Sequence, residues 1–166
     1  MIELGWREMR VDDIDGVVAV AAACFPEHFE ARICFQERQA LYPLGCFVLA
    51  AEDAIAGYLI AYPHPFGAIP ALNSLLGELQ ETSQALYLHD LALHPDVRGG
   101  GFARPILDRL FNLAQDRGIR CIHLVAVNGS MPFWERMGFT PVSISPELTR
   151  KLQTYGGDAG YLVRNL

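Results

Sequence analysis

The residues best suited to chemistry in this chain form a short cationic, glycine-rich turn, Arg98-Gly99-Gly100-Gly101-Phe102-Ala103. Glycines between a strand and a helix let the backbone approach an anion closely. The unpaired N–H groups at the helix start point toward such an anion, the helix dipole favours its charge, and Arg98 adds a cation. The spacing suits a phosphate site, and a plain turn is the competing reading. The turn lacks the Lys-Ser/Thr ending of a Walker A loop and the glycine spacing of a dinucleotide fingerprint.

The flanking elements must position that turn. Leu86 to Leu93 mixes aromatic and branched apolar residues, which predicts a strand. Pro95 removes an N–H and ends it. Phe102, Ile106, Leu107, Leu110, Phe111 and Ala114 recur at helical spacing, and Gly118 supplies a stop.

Upstream, residues 2–10 read as a first strand with Ile2, Leu4 and Trp6 alternating. Asp12 or Asp13 is a cap for a helix over 14–24, and Pro26 separates this from a second helix ending near Tyr42. Residues 45–51 and 54–62 read as a hairpin. The segment 63–85 is long for a loop, yet carries enough Leu, Ile and Phe to pack. Downstream come a strand at 120–127, a turn with Ser130 as cap, a short helix to Met137, strands at 139–144 and 160–163, and between these a polar connection over 146–157.

Length and composition fit a single domain spanning 1–166, with 51% hydrophobic residues to fill a core. The formal net charge of −6 argues against a nucleic-acid partner. No apolar run is long enough for a membrane span, and the N-terminal residues do not resemble a signal peptide, so a cytoplasmic location is expected. The four cysteines form no C-x-x-C pair, and no metal-ligand spacing is present.

Two segments carry a resemblance. Leu91-Ala92-Leu93-His94-Pro95 followed by Arg98-x-x-Gly101-x-Ala103 resembles the acyl-CoA pyrophosphate loop of the GNAT superfamily of N-acetyltransferases. Asn128 to Phe139, NGSMPFWERMGF, resembles that superfamily's second signature, in the expected order. The resemblance implies a single α/β domain, its mixed and mostly antiparallel sheet splayed at the centre, with helices on both faces. It implies acetyl-CoA as cofactor, and attack of an amine on its thioester. Leu91, Ala92, Leu93, Arg98, Gly99, Gly100, Gly101, Phe102, Ala103, Asn128 and Trp134 are the implied cofactor contacts.

The strand LYLHDLALH further resembles that of arylalkylamine-type members, in which two alternate histidines relay the amine proton. His89 matches the second histidine, and Tyr87 stands at the first. The catalytic candidates are therefore His89, Tyr87 and Asp90, with a structural role for His89 as the alternative. Strand alternation places Tyr87, His89 and Leu91 on one face and Leu88 and Asp90 on the other, unless a bulge intervenes. Trp134 stands where many members have a tyrosine that protonates the leaving thiolate, and indole cannot do so. The first helix pair and its linker make Glu27, His28, Phe29 and Glu30 the candidate substrate contacts, and 63–85 a lid on the acceptor side. Small-molecule amine acetylation is the leading expectation. Protein N-terminal or lysine acetylation and a non-catalytic acyl-CoA-binding module are the rivals, and the family's frequent dimers leave a homodimer open.

Overall fold

The computed structural model describes residues 3–166. Ile2, the first residue of the expected N-terminal strand, lies outside them. The strand itself is the shorter β1 (Gly5–Glu8), followed by α1 (Ile14–Cys24) and α2 (Arg32–Leu41). Then come β2 (Cys46–Ala51), β3 (Ala54–Pro63), β4 (Ala85–Leu93) and α3 (Ala103–Asp116). The chain closes with β5 (Cys121–Ala126), α4 (Met131–Arg136), β6 (Thr140–Pro141), α5 (Pro146–Gln153) and β7 (Gly160–Asn165).

The strands form one seven-stranded sheet in the order β1-β2-β3-β4-β5-β7-β6. Every pairing is antiparallel except β4 with β5. That parallel ladder holds only at Ala85–Tyr87 against Cys121–His123, after which the two strands diverge. The divergence leaves one backbone edge of β4 beyond Tyr87 without a strand partner.

Apolar alternation along the hairpin builds a core on each face. Phe47, Leu59, Leu86 and Leu88 pack with Ile106, Leu107, Leu110 and Phe111 of α3 and with Trp134 of α4. Cys46, Val48, Tyr58, Ile60 and Tyr62 pack on the opposite face with Ile14, Val17 and Val20 of α1 and Phe35 of α2. The sheet therefore carries helices on both faces.

Four local expectations change. Asp13 does not cap α1 with its side chain; its carboxylate accepts from Arg7 at 2.7 and 2.8 Å and from the Arg10 N–H at 2.7 Å, which holds the preceding turn. Ser130 starts α4 without a side-chain cap bond. The connection at 146–157 is not irregular: it contains α5, started by Ser145 Oγ accepting from the Leu148 N–H at 3.1 Å, with Pro146 in the first turn where its missing N–H costs nothing. The strand expected over 139–144 shrinks to Thr140–Pro141.

The segment 64–84 has no helix or strand, yet it is tied down along its length. His123 Nε2–H donates to the His64 carbonyl at 2.9 Å, and the Gly67 N–H donates to Tyr161 Oη at 2.9 Å. Tyr155 Oη donates to the Pro70 carbonyl. The Leu76 and Gly77 N–H groups donate to Glu37 of α2 at 2.6 and 2.9 Å.

Candidate active site

The centre of the site is an irregularity in β4. Asp90 pairs with Ile60 and Leu88 with Ala61, so His89 is an extra residue without a partner on β3. An inserted residue reverses the parity of everything beyond it. Tyr87, Asp90 and Ala92 consequently share the α1–α2 face, and Leu91 joins Leu86 and Leu88 on the other. Simple alternation had separated Asp90 from Tyr87 and grouped Leu91 with His89; the bulge corrects both.

His89 is held on both ring nitrogens. Nε2 lies 2.7 Å from Glu30 Oε1, and a carboxylate only accepts, so Nε2 carries the proton. Nδ1 then accepts from Tyr62 Oη at 3.1 Å. Arg38 Nη2 donates to the other Glu30 oxygen at 2.7 Å, and the Asn73 N–H donates to that same oxygen at 3.1 Å. The side chains of Arg38, Glu30 and His89 are almost completely buried. Burial alone would raise the Glu30 pKa, but His89 and Arg38 together pull it down to about 2. Glu30 is thus a fixed anion between two partners, and both ring nitrogens of His89 are engaged within the protein, by Glu30 and Tyr62.

Asp90 differs. Tyr58 Oη donates to its Oδ2 at 2.8 Å, while Oδ1 has no protein partner among the described residues. Burial pushes its pKa above the usual carboxylate range; the nearby His89 opposes the shift and Glu30 adds to it. A carboxylate with one oxygen pinned, the other free and a raised pKa is suited to receiving a proton. Glu30, His89 and Asp90 are close enough to be considered as metal ligands, but Glu30 already accepts from Arg38, Asn73 and His89.

Two cavities meet at this point. One, of about 270 Å³, lies on the α1–α2 face and is lined by Phe25, Phe35, Tyr58, Leu72, Tyr87, Tyr155, His89 and Asp90 among others. His28, Phe29 and Glu30 also line it, whereas Glu27 is exposed and does not. The second, of about 420 Å³, follows the divergence of β4 and β5. Leu91, Ala92, Leu93, Arg98, Ala103, Asn128 and Trp134 line it, as do His89 and Asp90. Tyr155, which shapes the first cavity, follows the unexpected helix α5; the sequence offers its hydroxyl, like that of Tyr42, as an alternative acid for the thiolate but does not place it.

Arg98 and Ala103, on either side of the glycine turn, line the second cavity, whereas Gly99, Gly100, Gly101 and Phe102 lie outside its lining. Gly99 and Gly101 have φ of +81° and +78°, conformations that side chains disfavour, and a Cβ on Gly100 would come within 2.7 Å of the Phe102 ring. Gly101, Phe102, Ala103 and Arg104 precede or open α3, where helix geometry leaves N–H groups without internal acceptors. The donor set fits a pyrophosphate, and the adjoining apolar cleft and free strand edge fit an extended amide-bearing chain. Arg98 is turned back: its Nε donates to the Leu93 carbonyl at 3.0 Å, and Nη2 reaches Cys24 Sγ at 3.6 Å. Trp134 packs edge-on against Phe133 and Phe139. Asn128 adopts a left-handed backbone with φ of +54° and makes no side-chain bond among the described residues.

Residues 14–139 match the acetyltransferase (GNAT) family model, and the chain belongs to that family. Among solved structures it is similar to Ard1 from Thermoplasma volcanium, at 15% identity and a TM-score of 0.74, covering 98% of this chain and 97% of that one. It is similar to the GphF GNAT-like decarboxylase in complex with isobutyryl-CoA, at 22% identity and a TM-score of 0.77, covering 97% and 98%. It is also similar to the ribosomal-protein-S18-alanine N-acetyltransferase from Escherichia coli, at 14% identity and a TM-score of 0.67, covering 98% and 94%. A search of curated protein sequences finds no significant match. These likenesses establish the fold and the family; they do not support the narrower arylalkylamine-type grouping. No helix among the described residues is long and apolar enough to cross a membrane.

Proposed function

We propose that this chain transfers an acetyl group from acetyl-CoA to the amine of a small molecule with an apolar body, an arylalkylamine being the class that suits its acceptor cavity. The observation that carries the reading is the meeting of the two cavities at Asp90. Gly99 to Ala103 would hold the pyrophosphate with backbone N–H groups. Leu91 to Leu93 would pair with the pantetheine through the free edge of β4, and Asn128 and Trp134 would flank it. Acetyl-CoA supplies an activated acyl group.

The chain's own residues do the rest. Aromatic and aliphatic walls select an apolar acceptor and exclude water. Asp90 takes a proton from the attacking nitrogen through Oδ1, with Oδ2 held by Tyr58. His89, fixed by Glu30 and Tyr62, acts as a positioning residue that maintains the bulge presenting Asp90. The basic groups at the acceptor cavity do not offer a free cation: His89 is bonded to Glu30 and Tyr62, His28 Nε2 lies 2.6 Å from the Tyr155 carbonyl, and Arg38, behind the lining, is paired with Glu30. Acceptors bearing a carboxylate are accordingly disfavoured.

The test is a panel of amines with acetyl-CoA, read by thiol release. Phenylethylamine-like acceptors should exceed free amino acids and peptides. A second reading, acetylation of a protein N-terminus, draws on the likeness to the S18-alanine N-acetyltransferase; peptides outpacing every small amine would establish it. Tight CoA binding with no acceptor turned over would point instead to a binding module.

A further inference from the structure

The position expected to protonate the leaving sulfur holds Trp134, whose indole N–H is not a usable acid. Among the described residues three tyrosines, Tyr58, Tyr87 and Tyr155, line the acceptor cavity, and no tyrosine lines the cofactor cavity. Among the described residues only two ionisable side chains line both cavities, His89 and Asp90. Both nitrogens of His89 are engaged within the protein, whereas Asp90 Oδ1 is not.

We infer that Asp90 serves both halves of the reaction, carrying the proton it takes from the attacking nitrogen to the leaving sulfur. The inference rests on the acetyl-transfer reading above. The acceptor enters as the neutral amine, having left its ammonium proton in solvent. Its lone pair forms the C–N bond, and the carbonyl π pair moves to oxygen. Asp90 removes a proton from the nitrogen, which is now positively charged. The oxygen pair returns, the C–S bond breaks with its electrons on sulfur, and Asp90 gives the proton to that sulfur. The products are amide and thiol, and Asp90 is again a carboxylate.

The charged and titratable groups around Asp90 come from three elements and a linker: Tyr58 on β3, His89 on β4, Arg38 on α2 and Glu30 between the first two helices. Arg38 is paired with Glu30, neither lines the cofactor cavity, and Asp90 is the carboxylate of this group that does.

The decisive measurement titrates the thiol of bound CoA by its thiolate absorbance, which requires no turnover. A facing carboxylate disfavours the thiolate, so Asp90→Asn should lower the bound thiol's pKa by about one unit. Asp90→Ser should do the same if the amide misfolds. Identical titrations for the parent and a CoA-binding variant overturn the shuttle. In turnover, Asp90→Asn should cost roughly 100-fold with benzylamine, an ammonium at neutral pH, and a similar factor with aniline, already a free base there. A loss confined to benzylamine would place Asp90 at deprotonation of the ammonium before attack, outside the step written above, and also overturn the proposal. Failure of the parent enzyme to acetylate any amine defeats the acetyl-transfer reading, and the thiol titration still reports on Asp90.

Discussion

Tyr58 and Asp90 face one another diagonally across the β3–β4 ladder, with the phenol donating to Oδ2 at 2.8 Å while Asp90 itself is in register with Ile60. The bond stabilises the ionised carboxylate against the burial that opposes it. Tyr58→Phe should therefore raise the Asp90 pKa further. The acid limb of the kcat/KM profile should move to higher pH by about one unit, with little change on the alkaline side. A profile superimposable on the parent would show that Asp90 does not govern that limb.

The triplet Arg38, Glu30 and His89 predicts a different outcome for its members. Glu30→Gln removes the only carboxylate, among the described residues, bonded to a fully buried guanidinium, and breaking such a pair costs about 3–5 kcal/mol. The melting temperature should fall sharply. His89→Gln leaves that pair intact and loosens the bulge, so it should lower kcat/KM by roughly 10-fold at every pH, because the imidazole holds a residue in place and exchanges no proton with substrate. A loss that disappears at high pH would restore His89 as the base.

This contrast marks what the sequence could and could not reveal. The glycine turn and the NGSMPFWERMGF segment act through local backbone geometry, so their motifs were legible in sequence, and Leu91, Ala92, Leu93, Arg98, Ala103, Asn128 and Trp134 do line one cleft between β4 and β5. The parity of Asp90 was not, because a bulge is a property of two paired strands and His89 gives no local sign of it. Glu30 read as a candidate substrate contact, with no sign of its buried ion pairs. Its partners, Arg38 and His89, lie 8 and 59 residues away and meet only after folding. The helix α5 was legible in principle: Ser145-Pro146 is a start signal, and Leu148 and Leu152 share a helical face. Its polar composition concealed it, and with it the position of Tyr155.

Gly101 has φ of +78° with open space around an added Cβ, so a side chain there meets backbone strain and no clash. Gly101→Val should shift the turn toward other conformations, costing about 1–2 kcal/mol locally. It should weaken CoA binding by roughly 10-fold or more, as the N–H groups lose their common aim. Calorimetry on the folded variant checks this, and unchanged affinity would move the pyrophosphate away from residues 98–103.

His123 gives the last prediction, one of stability against pH. It is completely buried, donates from Nε2 to the His64 carbonyl, and accepts from Tyr161 Oη at 2.6 Å on Nδ1. Burial lowers its pKa from 6.5 to about 4; the bond to the His64 carbonyl opposes the shift and the neighbouring His64 adds to it. The folded pKa lies below the unfolded one, so the unfolded chain takes up the proton first. Stability is complete above pH 6.5, declines as pH falls toward about 4, and is not lowered further by this group below that value. The decline amounts to about 3 kcal/mol, enough to dominate acid sensitivity in that window. The bonds at stake anchor His64 and Gly67, the entrance to the segment whose Leu72 lines the acceptor cavity. Amide exchange should therefore quicken across 64–72 before it does in the strands. Urea midpoints at pH 7 and 4.5 provide the check: His123→Gln should be less stable than the parent at pH 7 and show a clearly smaller loss between the two pH values. Equal losses would assign the acid sensitivity to other groups.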